Sequence, residues 1–220
     1  MSTYVLVPGA CHGGWCFASL TTPLRRLGHD VHPITLTGLA ANQSAAGVNL
    51  ETHIADVLGL LSDEQIEDAV LVGHSYGGVV ITGVADRAPD RVRSLVYLDA
   101  FVPADGESCW TLTNDEQRAW YTSVDETGFG TRPLPFFDPR AKPHPLATLL
   151  QPIRLTGTLD RFARRDYVYA ERWAGESPFT PTLERLRDDP QWNVHTLDGG
   201  HNLMRDVPAD VLKILQAATG

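Results

Sequence analysis

Residues 70–80, Val-Leu-Val-Gly-His-Ser-Tyr-Gly-Gly-Val-Val, restrict the possible folds of this chain more than any other stretch. The apolar run before Gly73 reads as a buried strand, Gly73-His74-Ser75-Tyr76-Gly77 interrupts it, and small and β-branched residues lead on into a helix. A serine at the apex of so sharp a strand-to-helix turn takes a strained backbone conformation. The residues two before and two after it must be almost free of side chain if strand and helix are to pass closely. Gly73 and Gly77 meet that demand, and Gly78 adds room. The Ser75 hydroxyl then stands at the carboxyl edge of a sheet, with the Tyr76 N–H and the start of the helix facing any negative charge that forms beside it. Ser75 is the candidate nucleophile. Five such residues arise by chance in glycine-bearing loops, so it is the flanking strand and helix that give the motif its meaning.

The rest of the chain supplies a matching frame. Short β-branched runs alternate with longer helical patterns, which predicts an α/β protein with a doubly wound, mostly parallel sheet. Strands are expected at 4–7, 30–36, 70–77 with its turn, 94–98, 167–170 and 192–197. Helices are expected at 15–27, 50–62, from the turn to about 88, 181–187 and 208–218. Pro33 places the second strand at an edge or a kink. From about 104 to 152 the alternation fails, and the segment is rich in proline and in Trp110, Trp120, Tyr121, Phe129, Phe136 and Phe137. An insertion of this kind is expected to form a small cap over the carboxyl edge, where ligands bind in such sheets. A chain of 220 residues suffices for one domain.

Composition narrows the partners. A net charge of −9, with Lys142 and Lys213 the only lysines, leaves no basic stripe for nucleic acid. No apolar run reaches membrane-spanning length, and the N-terminal residues enter a strand directly. Three cysteines, Cys11, Cys16 and Cys109, show neither metal-ligand spacing nor an even count for pairing, which fits reduced thiols in a cytoplasmic protein. No cofactor and no metal is called for. The oligomeric state stays open, a homodimer being compatible.

Near the C-terminus, Asp198-Gly199-Gly200-His201-Asn202 follows the last expected strand. A histidine on a glycine-rich loop at that place can reach over the sheet edge and take the proton of Ser75. The order of serine first and histidine last sets His201 above the seven other histidines.

These segments resemble the α/β-hydrolase superfamily over essentially the whole chain, and most of all its small esterases related to plant methylesterases and hydroxynitrile lyases. The resemblance is carried by Val7-Pro8-Gly9-Ala10-Cys11-His12-Gly13-Gly14-Trp15, the elbow at Ser75, Val96-Tyr97-Leu98-Asp99-Ala100-Phe101-Val102-Pro103 and Gly199-Gly200-His201-Asn202. It implies Ser75 as nucleophile, His201 as general base, and the backbone N–H groups of Ala10 and Tyr76 as the oxyanion hole. The family's usual His-Gly after the first strand is Pro8-Gly9 here. In the hydroxynitrile lyases a threonine stands at the position of Gly9 and a lysine at that of Asn202, so cyanohydrin cleavage is not expected and ester hydrolysis is.

The acid of the triad departs from the common pattern, since Trp173 occupies the place where the superfamily usually carries an aspartate. A second placement, known from haloalkane dehalogenases, lies at the end of the strand after the elbow helix, and Asp99 falls there. Directly after the apolar run 95–98, its carboxylate should be partly buried and in need of a partner such as the His201 ring. Asp99 is therefore the expected acid, with Glu171 and Asp160 as alternatives and a loop-capping role as the plainer reading. Cys11 reads as a small buried residue, and His12 as packed within its own loop. Asp86, Arg87 and the charges at 184–189 read as solvated helix faces. The expected function is hydrolysis of a carboxylic ester of a small, apolar or aromatic molecule through an acyl-enzyme. Alternatives are a lyase, acyltransferase or cyclase using the same site, or a ligand-binding protein of the same fold.

Overall fold

A computed structural model describes residues 1–157, 159–173 and 175–219. Its frame is a parallel six-stranded sheet made of β1 (Thr3–Val7), β2 (Asp30–Pro33), β3 (Ala69–His74), β4 (Val92–Leu98), β7 (Arg165–Ala170) and β8 (Asn193–Leu197), in the order β2-β1-β3-β4-β7-β8. Helices α1 (Ala18–Arg26), α2 (Leu50–Asp63), α3 (Gly77–Arg87), α7 (Thr180–Leu186) and α9 (Pro208–Ala217) flank it. The doubly wound architecture follows from the alternation of side chains along each strand. Val5 and Val7 of β1, Leu71 of β3 and Tyr97 of β4 enter the core that includes α2 and α3. Tyr4 and Leu6, Val70 and Val72, and Val96 and Leu98 enter a second core with Leu20, Leu24, Val211 and Leu215 of α1 and α9. Because both faces are covered, these strands read in the sequence as unbroken apolar runs.

Two elements are shorter than the sequence suggests. The expected helix at 15–27 divides into a 3₁₀ turn, Gly14–Phe17, and α1, whose C-terminus is a left-handed Gly28 with φ 83°. The second strand stops at Pro33, which cannot donate to the ladder, and β2 is indeed an edge strand. Between β4 and β7 the chain leaves the sheet as α4 (Cys109–Leu112), α5 (Asp115–Tyr121), the two-residue strands β5 (Gly130–Thr131) and β6 (His144–Pro145), and α6 (Leu146–Leu150). β5 and β6 pair antiparallel. A last short helix, α8 (Leu203–Asp206), leads from β8 into α9.

Asp86 and Arg87 are not simply solvated. The Asp86 carboxylate accepts the backbone N–H groups of Thr156 and Gly157, at 3.0 and 2.8 Å. Arg87 holds both carboxylate oxygens of Glu51 at 2.7 Å, joining α3 to α2. Helical periodicity could not show either, since both partners lie far along the chain.

Candidate active site

Parallel strands bring all their carboxyl ends to one edge of the sheet, and there the chain departs from ordinary backbone geometry. Cys11 (φ 68°), Ser75 (φ 53°) and Asp99 (φ 43°) are non-glycine residues in the left-handed region, just after β1, β3 and β4. Such conformations cost on the order of 1 kcal/mol or more each and gather where a site needs them. Ser75 is held at the elbow from both sides, its N–H donating to Leu98 O at 3.3 Å and its carbonyl accepting Phe101 N–H at 3.2 Å.

The glycines of the motif are required by contact. A Cβ on Gly77 would stand 2.3 Å from the carbonyl oxygen of Val7, and one on Gly73 2.7 Å from the Gly77 backbone. At Gly9 a Cβ would fall 2.9 Å from the Cβ of Ser75, so glycine there lets the loop after β1 close on the serine. Ala10 on that loop and Tyr76 after the serine both line the cavity that Ser75 lines. Among the described residues neither their N–H groups nor the Ser75 hydroxyl donates to a protein acceptor.

The structure brings Asp99, and neither Glu171 nor Asp160, to His201. His201 Nδ1 donates to Asp99 Oδ2 at 2.7 Å, which leaves Nε2 as the basic nitrogen. Asp99 is fully buried, and its other oxygen accepts Ala170 N–H at 3.1 Å from the neighbouring strand β7. Trp173 Nε1–H completes the shell with a 2.9 Å bond to Oδ2. Trp173 thus donates to the same carboxylate that the His201 ring faces. Glu171 is exposed, and Asp160 pairs with Arg165 (2.9 Å) at the start of β7, the opposite end of the strand.

Aromatic rings fix the imidazole. Phe179 stacks on His201 at 5.3 Å and 15°, Trp173 lies at 4.9 Å and His74 at 4.5 Å. His74 also donates from Nε2 to the His201 carbonyl at 3.0 Å. Burial, and after it the neighbouring His201 and His12, lower the His74 pKa well below the ordinary histidine range, so that ring is a neutral donor. Nothing in the sequence marked Phe179, whereas His74 and Trp173 stood at motif positions without an evident task.

Ser75 and His201 share a cavity of about 790 Å³. Trp120, Phe136 and Phe137 of the 104–152 segment line it, as do His12 and Trp15. His12 is bound within its loop, donating to Ala10 O at 2.8 Å, yet its ring also meets Phe137 at 4.9 Å. Arg140, paired with Asp138, also lines the cavity and lies 4.2 Å over the Trp15 ring. Cys11 is buried, its thiol pKa raised by burial to about 12.

A hydroxyl on a strained strand–helix elbow, an imidazole over the same cavity and a buried carboxylate behind the imidazole define the class of nucleophilic hydrolases on a doubly wound sheet. The description of one family, the Alpha/beta hydrolase family, matches residues 4–214, and the chain belongs to that family. It is similar to a carbendazim hydrolyzing esterase of Nocardioides sp. (strain SG-4G), with 38% identity across 99% of both chains. Methylesterase 2 of Arabidopsis thaliana is 35% identical over 107 residues, which is 46% of this chain and 40% of that protein. Among solved structures, an extracellular α/β-hydrolase from a Paenibacillus species superposes with a TM-score of 0.83, covering 99% of each chain at 24% identity. Among the described residues no helix is long and apolar enough to cross a membrane.

Proposed function

We propose that the protein hydrolyses a carboxylic ester of a small aromatic molecule, with Ser75 as nucleophile, His201 as general base, Asp99 as its orienting acid, and the Ala10 and Tyr76 N–H groups as the oxyanion hole. That the chain is an esterase acting on small molecules follows from its relation, along the full length of both chains, to the carbendazim hydrolyzing esterase. The observation that carries the assignment of roles is the His201–Asp99 bond over the cavity that Ser75 lines.

In the first half-reaction Ser75 Oγ attacks the carbonyl carbon while its proton passes to His201 Nε2. The tetrahedral oxyanion is held by the two backbone N–H groups. As the C–O bond to the leaving alcohol breaks, His201 returns the proton to that oxygen. Water, activated by the same imidazole, then cleaves the acyl-enzyme to the free acid and restores Ser75. Asp99 keeps Nδ1 protonated throughout and stabilises the imidazolium. The aromatic wall supports a flat or aromatic substrate, and the 104–152 segment acts as a cap on a single catalytic domain. Three free cysteines, Cys11, Cys16 and Cys109, support a reducing compartment, and we place the protein in the cytoplasm.

The test is hydrolysis of 4-nitrophenyl esters of graded acyl length by wild type and Ser75→Ala. Loss of at least about a thousandfold in kcat in the variant is expected, with acid and alcohol as the only products. Equal rates for the two proteins would refute the assignment of Ser75. Products with a rearranged or cleaved carbon skeleton would instead reveal a lyase or cyclase.

A further inference from the structure

The cap-side histidine His144 is fully buried, lies outside the Ser75–His201–Asp99 set, and is bonded at both ring nitrogens. Its Nδ1 accepts the backbone N–H of Cys11 at 3.2 Å. Nε2 must then carry the proton, which it donates to Thr148 Oγ1 at 2.9 Å. That hydroxyl in turn donates to Pro145 O at 2.7 Å. Burial, with His53 and His12 nearby, lowers the His144 pKa well below the ordinary range, which keeps Nδ1 an acceptor.

Cys11 directly follows the proposed oxyanion donor Ala10 and is one of the left-handed residues at the sheet edge. Two residues before His144, Lys142 N–H donates to the Cys11 carbonyl at 2.9 Å. Both backbone polar groups of the strained residue are therefore gripped from one short stretch, 142–144. The same ring packs edge-on against Tyr76 at 4.6 Å, and Tyr76 carries the other proposed donor. Tyr76 is also fixed by its hydroxyl, which donates to His53 Nδ1 at 2.8 Å.

From this juxtaposition we infer that His144 is a positioning residue for the oxyanion hole, holding the Ala10–Cys11 peptide and Tyr76 in register through neutral Nδ1 and the packing of its ring. The inference rests on the oxyanion hole proposed above. A group of this kind acts on the transition state, because the N–H donors need their exact spacing only when the carbonyl oxygen becomes an anion. The ester in its ground state gains little from it.

The experiment pairs His144→Phe with His144→Asn. Phenylalanine keeps the ring and removes the acceptor, whereas the asparagine Oδ1 takes the place of Nδ1. With 4-nitrophenyl acetate, His144→Phe is expected to lower kcat by about ten- to a hundredfold, less than the loss of a whole oxyanion donor, with KM changed less than about threefold. Phenylboronic acid, whose serine adduct is tetrahedral and sets an oxygen in the hole, should bind more weakly by a similar factor. His144→Asn should recover most of both losses. A folded His144→Phe with wild-type kcat and wild-type boronate affinity overturns the inference, and so does an Asn variant as impaired as Phe. Should His144→Phe fail to fold, His144→Leu decides: it too lacks an acceptor for Cys11 N–H, and an unchanged kcat in that folded variant also overturns the inference. Ser75→Ala assayed alongside separates the two levels, since full activity there refutes the underlying site and not merely the part played by His144.

Discussion

Asp99 shows how much a single side chain can be asked to do. It sits in a left-handed backbone conformation, wholly buried, with three donors on two oxygens: Ala170 N–H, Trp173 Nε1–H and His201 Nδ1–H. Three donors satisfy a buried carboxylate that would otherwise be costly. In Asp99→Asn an amide nitrogen facing the imidazole would favour the tautomer with Nδ1 unprotonated, leaving Nε2 unable to accept the serine proton. We expect kcat to fall by about 10³–10⁴ with the far-UV circular dichroism unchanged; activity within a fewfold of wild type would move the role elsewhere. The end of an apolar run placed Asp99 at the sheet edge, with Glu171 and Asp160 as alternatives, and the elbow and the glycine loop placed Ser75 and His201, so where these three lie was legible in the sequence. The indole of Trp173 and the ring of Phe179 were not, because their contacts with Asp99 and His201 cross strands and loops that local periodicity does not relate.

At the scale of elements, the elbow is a problem of clearance. α3 leaves β3 so tightly that the backbone at Gly77 nearly touches Val7 of the neighbouring strand, and that at Gly78 nearly touches Phe101 O. In neither case is the obstacle a flexible side chain that could step aside. Gly77→Ala should therefore destabilise the fold by about 3 kcal/mol or more, read as a shift of the chemical denaturation midpoint, and an alanine variant as stable as wild type would contradict the packing described. These elements were easy to read from the sequence, since glycine spacing and apolar runs are local signals. The ends of elements were harder. α2 begins at Leu50 because Asn49 caps it by accepting Thr52 N–H while Thr52 Oγ1 accepts Asn49 N–H, a reciprocal cap. Pro33 and the 3₁₀ turn at Gly14–Phe17 shortened what periodicity alone extended.

Across the whole molecule, four buried histidines, His12 among them, bear on the response to acid, and the three most deeply enclosed dominate it. Burial holds His53, His74 and His144 below the ordinary histidine range in the folded protein, while in the unfolded chain they titrate near 6.5. Above that pH neither state binds protons at these rings and stability is full. Below it the unfolded chain takes up protons that the folded protein does not, so stability falls with pH until the depressed folded values are reached. Each ring contributes a slope of about 1.4 kcal/mol per pH unit, about 4 for the three together. Thermal melts at pH 7.5, 6.5 and 5.5 should show a Tm that declines below 6.5, and a flat profile would mean that these rings are protonated inside the fold. Where the chain places its parts also bears on how such a protein changes over generations. The proposed nucleophile, base and acid follow the ends of strands in one hydrogen-bonded sheet, whereas much of the aromatic wall comes from the excursion between β4 and β7. Descendants of this chain are free to acquire new substrates by altering the excursion while inheriting the sheet unchanged. His144 marks where that freedom ends, because a replacement excursion without an acceptor for Cys11 N–H would bring a new pocket and a slackened catalyst together.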